Sequence, residues 1–197
     1  MLLNIAADKS KQGPLGQTIL KGVNLMVNLD VAYVPTPKDI VRRMLRLARV
    51  RRGETVFDLG AGDGRILIEA VRGFGAKAIG VEVDPERLIR IKERLTATGT
   101  EATLVQGDLL EVDTSSADVV AIYLSSSVNA KLASKLKNEL KAGARVVSLD
   151  YVLPGWAPER ELTVKSGGVT RKIYSYEVKG ELSNPKNLAS RYTKLKR

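Results

Sequence analysis

Three glycines in five positions, Gly60, Gly62 and Gly64, follow the apolar run "TVFDL", with Asp58 before them and Asp63 among them. Bare backbone between a strand and a helix lets a ligand approach the main chain closely, at the carboxyl edge where open α/β sheets bind ligands. Glu82 stands 24 residues after Asp58, in the next apolar run, "KAIGVEV", with Val83 beside it. A carboxylate there can accept both hydroxyls of a ribose. Asp108 ends a third run, "ATLVQGD", directly after Gly107. It can accept from the amino group of an adenine, and the Leu109 N–H can reach the ring. Three successive strand ends, each carrying an acid, make one constellation suited to a nucleoside. Taken singly, Glu82 and Asp108 read equally well as helix caps or solvated loop acids.

Charge selects among nucleosides. The dinucleotide fingerprint G-x-G-x-x-G is broken by Arg65 at its third glycine position. A pyrophosphate on this loop would face Asp58 and Asp63. At an effective dielectric near 20, a unit-charge pair about 4 Å apart is worth about 4 kcal/mol. The acids oppose a dianion and favour a cation. S-adenosylmethionine carries a sulfonium and an ammonium and no phosphate, so it is the expected cofactor. Its expected contacts are Asp58, Gly60, Ala61, Gly62, Glu82, Val83, Gly107, Asp108 and Leu109.

The elements that must position these residues alternate in type. Strands are expected at 55–60, 77–83, 102–108, 117–124 and 144–153, with helices at 65–74, 85–96 and 128–141 between them. "LTVKSGGVTRKIYSYEV" (162–178) reads as a hairpin around Gly167 and Gly168. That order predicts an α/β protein, a doubly wound, mostly parallel sheet with an antiparallel C-terminal hairpin. Upstream, "PKDIVRRMLRLARV" (37–50) places Val41, Met44, Leu45 and Ala48 on one helical face and Arg42, Arg46 and Arg49 on the other. Thr36 is its expected N-cap and Pro37 its first residue. The chain divides into an N-terminal extension (1–30), a main domain (31–180) and a basic C-terminal tail (181–197).

"VFDLGAGDGR", "GVEVD" and "QGDL" resemble the first three motifs of the class I S-adenosylmethionine-dependent methyltransferases. The likeness covers about residues 31–180, making that stretch the expected methyltransferase domain. It implies a Rossmann-like sheet of seven strands. More finely, "YVPTP", "DIVRRML", "DLGAGDGRI", "YLSSSVN", "ELKAGARVVS" and "GWAP" are similar to the archaeal protein-lysine methyltransferases and their eukaryotic mitochondrial relatives. That resemblance implies methyl transfer to lysine amines of protein substrates, with Tyr33 and Thr36 covering the methionine end of the cofactor. A helix N-terminus at Thr36 would also attract a carboxylate. Tyr33 and Tyr123 are the expected walls of a lysine channel, where ring faces hold an ammonium. Tyr123 also reads as ordinary strand-end packing. Trp156 is expected to pack a loop.

Composition prunes the alternatives. The chain has no cysteine and no histidine. Cysteine-nucleophile methylation at C5 of a pyrimidine is therefore excluded, and no metal-ligand cluster stands out. The Asn/Asp-Pro-Pro-Tyr/Phe motif common in methylation of amides and base amines is missing after the fourth strand. The net charge is +10, distributed unevenly. Residues 54–125 carry net −6, whereas 31–53 carry +6, 126–180 carry +5 and 181–197 carry +4. Basic flanks suggest nucleic-acid contact, and so chromatin or other nucleic-acid-binding proteins as substrates. A solvated, heat-adapted surface accounts for them equally. RNA or small-molecule methylation is the alternative activity, and a non-catalytic binder or nicotinamide dehydrogenase the remaining one. No apolar run reaches the ~20 residues of a membrane span, and no secretory leader is evident. A cytoplasmic enzyme is expected.

Overall fold

The computed structural model describes residues 34–179 of the 197-residue chain. Tyr33, the N-terminal extension and the basic tail lie outside the described residues. Four helices and seven strands follow in the order α1 (Lys38–Leu47), β1 (Thr55–Leu59), α2 (Arg65–Phe74), β2 (Lys77–Glu82), α3 (Pro85–Ala97), β3 (Thr103–Gln106), β4 (Val119–Ile122), α4 (Ser126–Glu139), β5 (Arg145–Leu149), β6 (Arg160–Ser166) and β7 (Val169–Glu177). The sheet order is β3-β2-β1-β4-β5-β7-β6. The first five strands pair in parallel, and β7 runs antiparallel to both β5 and β6. The expected doubly wound sheet with its antiparallel hairpin is thus the observed one.

Strand alternation builds a core on each face. Val56, Val119, Ala121 and Val147 point to one side, against Met44 and Leu45 of α1, Leu67 and Ala70 of α2, and Ile91 and Leu95 of α3. Phe57, Val120, Ile122 and Val146 point to the other, against Leu132 and Leu136 of α4 and the loop residues Leu153 and Trp156. Tyr176, fully buried there, accepts the Leu153 N–H at 3.0 Å. Trp156 donates to the Ala133 carbonyl at 3.0 Å and meets Tyr176 edge-on at 5.9 Å, so it packs its loop on α4.

Two local expectations are corrected. Thr36 is not the N-cap of α1. Pro37 occupies that place with φ −55° and ψ 144°, no side chain caps the helix, and the Pro37 carbonyl accepts the Val41 N–H. An extended ψ leaves the proline outside the helix, one position before the first-turn place that the usual preference implies. α4 begins at Ser126, not 128, because Ser125 caps it by accepting the Val128 N–H. The serine run thereby builds a helix start.

Candidate active site

The sheet order reverses between β1 and β4, and a cleft opens at the carboxyl ends of those two strands. Its lining includes Thr36, Asp58, Gly60, Ala61, Gly62 and Tyr123. The structure therefore brings six of the expected site residues to one cavity. The loop from β1 to α2 can turn so tightly because Gly60, Gly62 and Gly64 have φ of 85°, 57° and 75°. A side chain at Gly64 would also put its Cβ 2.8 Å from Ile91 Cγ2.

The acids differ sharply in their surroundings. Asp58 is 3% exposed, lines the cleft, and has no hydrogen bond or ion pair among the described residues. Burial pushes its carboxyl well above the usual carboxylate range, and the charges of Glu82 and Asp63 add to that. Asp63 is compensated. Its carboxylate accepts from the Arg65 guanidinium, with Nε at 2.8 Å, and from Arg94 Nη1. Partial burial works to raise its pKa, but the two arginines prevail and lower it to about 2. Glu82 is also held. Its Oε2 accepts the Gly62 N–H at 2.9 Å, its Oε1 accepts from Val83 and Asp84 at 3.1 and 3.2 Å, and Arg87 stands 3.7 Å away.

The expected repulsion of a pyrophosphate by both loop acids is corrected accordingly. Asp63 spends its charge on Arg65 and Arg94, a pairing across 31 residues that no local pattern announces. Of the two loop acids, Asp58 is the one left uncompensated among the described residues for a cation, whereas Glu82 is fixed beside the glycine loop with part of its acceptor capacity in use.

The third strand end is more open. Gly107 donates to the Glu82 carbonyl at 3.2 Å, which sets the two strand ends side by side. Asp108 is exposed and one of its oxygens accepts the Leu110 N–H at 2.8 Å, a turn-forming role that leaves the other oxygen uncommitted. Neither Asp108 nor Leu109 lines the cleft near Asp58. Among the described residues no cluster of three or more carboxylates is placed to hold a metal ion, and no helix is long and apolar enough to cross a membrane.

Two arginines not expected at the site bear on it: Arg65 lines the cleft, and Arg171 holds the cleft residue Tyr123. Arg65 donates to the Thr36 carbonyl as well as to Asp63, tying the segment before α1 to the glycine loop. Arg171 of β7 donates to the Tyr123 hydroxyl at 2.8 Å and lies 5.7 Å from the centre of its ring. One face of Tyr123 is therefore taken by a guanidinium. The acid that anchors Arg171, Asp150, directly follows β5, and strand-end acids were the signal that could have found it.

Strand order, glycine loop and an acid at the switch point that is unpaired among the described residues define a Rossmann-like methyltransferase domain. Comparison with known proteins gives the same class: the chain belongs to the family described as the ANTKMT methyltransferase domain, which matches residues 58–160. It is 42% identical over 151 residues to a protein-lysine N-methyltransferase of Saccharolobus islandicus, covering 75% of this chain and 94% of that one. It is 34% identical over 156 residues to the adenine nucleotide translocase lysine N-methyltransferase of Mus musculus, covering 78% and 66%. Among solved structures, an RNA methyltransferase from Salinibacter ruber in complex with S-adenosyl-L-homocysteine superposes with a TM-score of 0.70 at 41% identity, covering 77% of this chain and 97% of that one.

Proposed function

We propose that this methyltransferase uses S-adenosylmethionine to methylate lysine side-chain amines of protein substrates. The observation that carries the cofactor is the Asp58 carboxyl group, buried, facing the cleft and unpartnered among the described residues. A buried acid in that condition favours a positively charged ligand. When bound, S-adenosylmethionine supplies a methyl group on sulfur; the acceptor nitrogen takes it with its lone pair and releases a proton to water, and the thioether leaves. Asp58, Gly60, Ala61 and Gly62 would hold the methionine part, together with Thr36 and Tyr33. Glu82 and Val83 would hold the ribose, and Gly107, Asp108 and Leu109 the adenine. Tyr123 and Tyr33 would wall the acceptor side, Tyr123 offering the ring face that Arg171 leaves free. The chain's contribution is alignment and exclusion of water, which in-line transfer needs more than strong acid–base groups.

The lysine acceptor is supported by the likeness to the Saccharolobus islandicus and mouse lysine methyltransferases. The Salinibacter ruber relative favours RNA as the second reading. Incubation of the enzyme and a cell extract with S-adenosylmethionine labelled on the methyl group separates them. Label on protein that survives nuclease, recovered as methyl-lysine by mass spectrometry, supports the first reading; nuclease-sensitive label selects the second. Exposed Arg43, Arg46, Arg51 and Arg52 support nucleic-acid-associated proteins as the substrate class. Retention on nucleic acid that is strong at low salt and falls steeply as salt rises tests that class.

A further inference from the structure

We propose that Arg171, locked by Asp150, is a positioning residue that fixes the Tyr123 phenol at the acceptor side of the cleft; the inference rests on the methyl-transfer reading above. Tyr123 follows β4 directly and lines the cleft with Asp58 and Thr36. Arg171 reaches it from two strands away in the sheet. A single nitrogen, Nη1, donates to Tyr123 Oη at 2.8 Å and to Asp150 Oδ2 at 2.5 Å.

Asp150 is built to hold that nitrogen. Its φ is 61°, a left-handed backbone in a residue with a Cβ. Such conformations are costly, cluster at functional sites and persist where neighbours over-determine them. Here the neighbours do so. The Asp150 N–H donates to the Lys172 carbonyl at 2.7 Å, and its Oδ1 accepts the Lys172 N–H at 3.1 Å. On either side of it, the buried Asn129 of α4 donates to Ser148 Oγ at 3.3 Å and to the carbonyls of Tyr151 and Val152 at 3.1 and 3.2 Å. The ends of β4, β5 and β7 are thereby joined through one cluster.

A stabilising ion pair alone does not account for this arrangement. Arg171 Nε is buried without a hydrogen-bond partner among the described residues, a poor choice if the guanidinium served only to bridge strands. What the geometry achieves is orientation of a phenol. With Arg171 donating to its oxygen, the Tyr123 O–H hydrogen must point away from the guanidinium. The remaining lone pair and the hydrogen then have set directions from which an acceptor amine can be aligned.

The test is a double-mutant cycle joined to a spectroscopic readout. Arg171→Gln, Tyr123→Phe and the combined variant are compared by initial rate of methyl label transfer to extract protein. Tyr123 is followed by NMR of ring-labelled tyrosine, its signal identified among the six tyrosines by loss in Tyr123→Phe. Arg171→Gln should slow transfer by about tenfold to a hundredfold and shift or broaden the Tyr123 signal selectively. Arg171→Lys should restore part of the rate. The combined variant should be no slower than Tyr123→Phe, because Arg171 acts through Tyr123. Additive effects, or a slowed reaction with an unmoved Tyr123 signal, would overturn the proposal. Should Arg171→Gln fold poorly, Asp150→Asn loosens the same nitrogen and must give the same two signatures. A wild type that transfers no label to protein or to nucleic acid of the extract, while its Tyr123 signal still depends on Arg171, would refute the methyl-transfer reading and leave the positioning intact.

Discussion

Asp58→Asn separates what one carboxylate does for stability from what it does for binding. The folded, ligand-free chain holds the Asp58 proton more tightly than an unfolded chain would, because burial and the acids Glu82 and Asp63 raise its pKa. For such a group, stability falls as pH rises from the unfolded pKa to the folded one, and is level above it. Each pH unit of that interval costs about 1.4 kcal/mol, or about 3–5 °C of Tm for a chain of this size. Asparagine keeps the shape and does not titrate. The variant should therefore be more stable than wild type at neutral pH, with the difference shrinking towards zero in acid. Binding should run the other way. A cation brings the Asp58 pKa down, so wild-type affinity for S-adenosylmethionine should rise up to tenfold per pH unit while the acid is protonated, with up to one proton released. Asp63 does not blur this, since Arg65 and Arg94 hold its pKa down at about 2. The variant should lose the slope and, at neutral pH, bind about ten- to a hundredfold more weakly, the worth of one charge-assisted contact. Titration calorimetry in buffers of different ionisation enthalpy counts the proton directly. Equal affinities, equal proton release, or an asparagine variant less stable than wild type would refute the reasoning.

Three further outcomes are expected. Asp63 has a folded pKa of about 2, below the ordinary 3.8, so its contribution is present above the unfolded value and lost as pH falls towards 2; Asp63→Asn should cost on the order of 1–2 kcal/mol at neutral pH after solvent screening, a gap that denaturant melts should see close in acid. Gly64→Ala must adopt φ near 75° with its Cβ 2.8 Å from Ile91; a loss of about 2–4 kcal/mol is expected, measured by thermal unfolding. Tyr176→Phe strands the buried Leu153 N–H and should cost about 1–3 kcal/mol, again read from thermal unfolding.

Local signals wrote most of the scaffold. α2 was legible to the residue because Gly64 and Gly75 bracket it, both left-handed in the structure. The glycine loop and the strand-end acids pointed to the cleft because strand, turn and helix are consecutive in the chain. What stayed hidden was set by distant partners. Nothing near Asp63 foretells Arg94, which reaches it only once α3 packs on the glycine loop, and nothing near Tyr123 foretells Arg171, which reaches it only once β7 lies beside β5. Thr36 reads as a cap from the sequence because Pro37 suits both the first helical position and the one before it, and only its ψ decides. The helix expected from 128 starts at 126 because a serine three residues before Val128 is an ordinary capping signal.

The bond from Arg65 to Thr36 has an evolutionary corollary. The latch across the mouth is fastened to a main-chain oxygen, and every amino acid supplies one. Position 36 can thus drift among side chains that fit without undoing the closure, whereas position 65 has no substitute of equal reach and charge. Divergent homologues should accordingly keep the arginine and vary the threonine, unless the hydroxyl has a duty of its own.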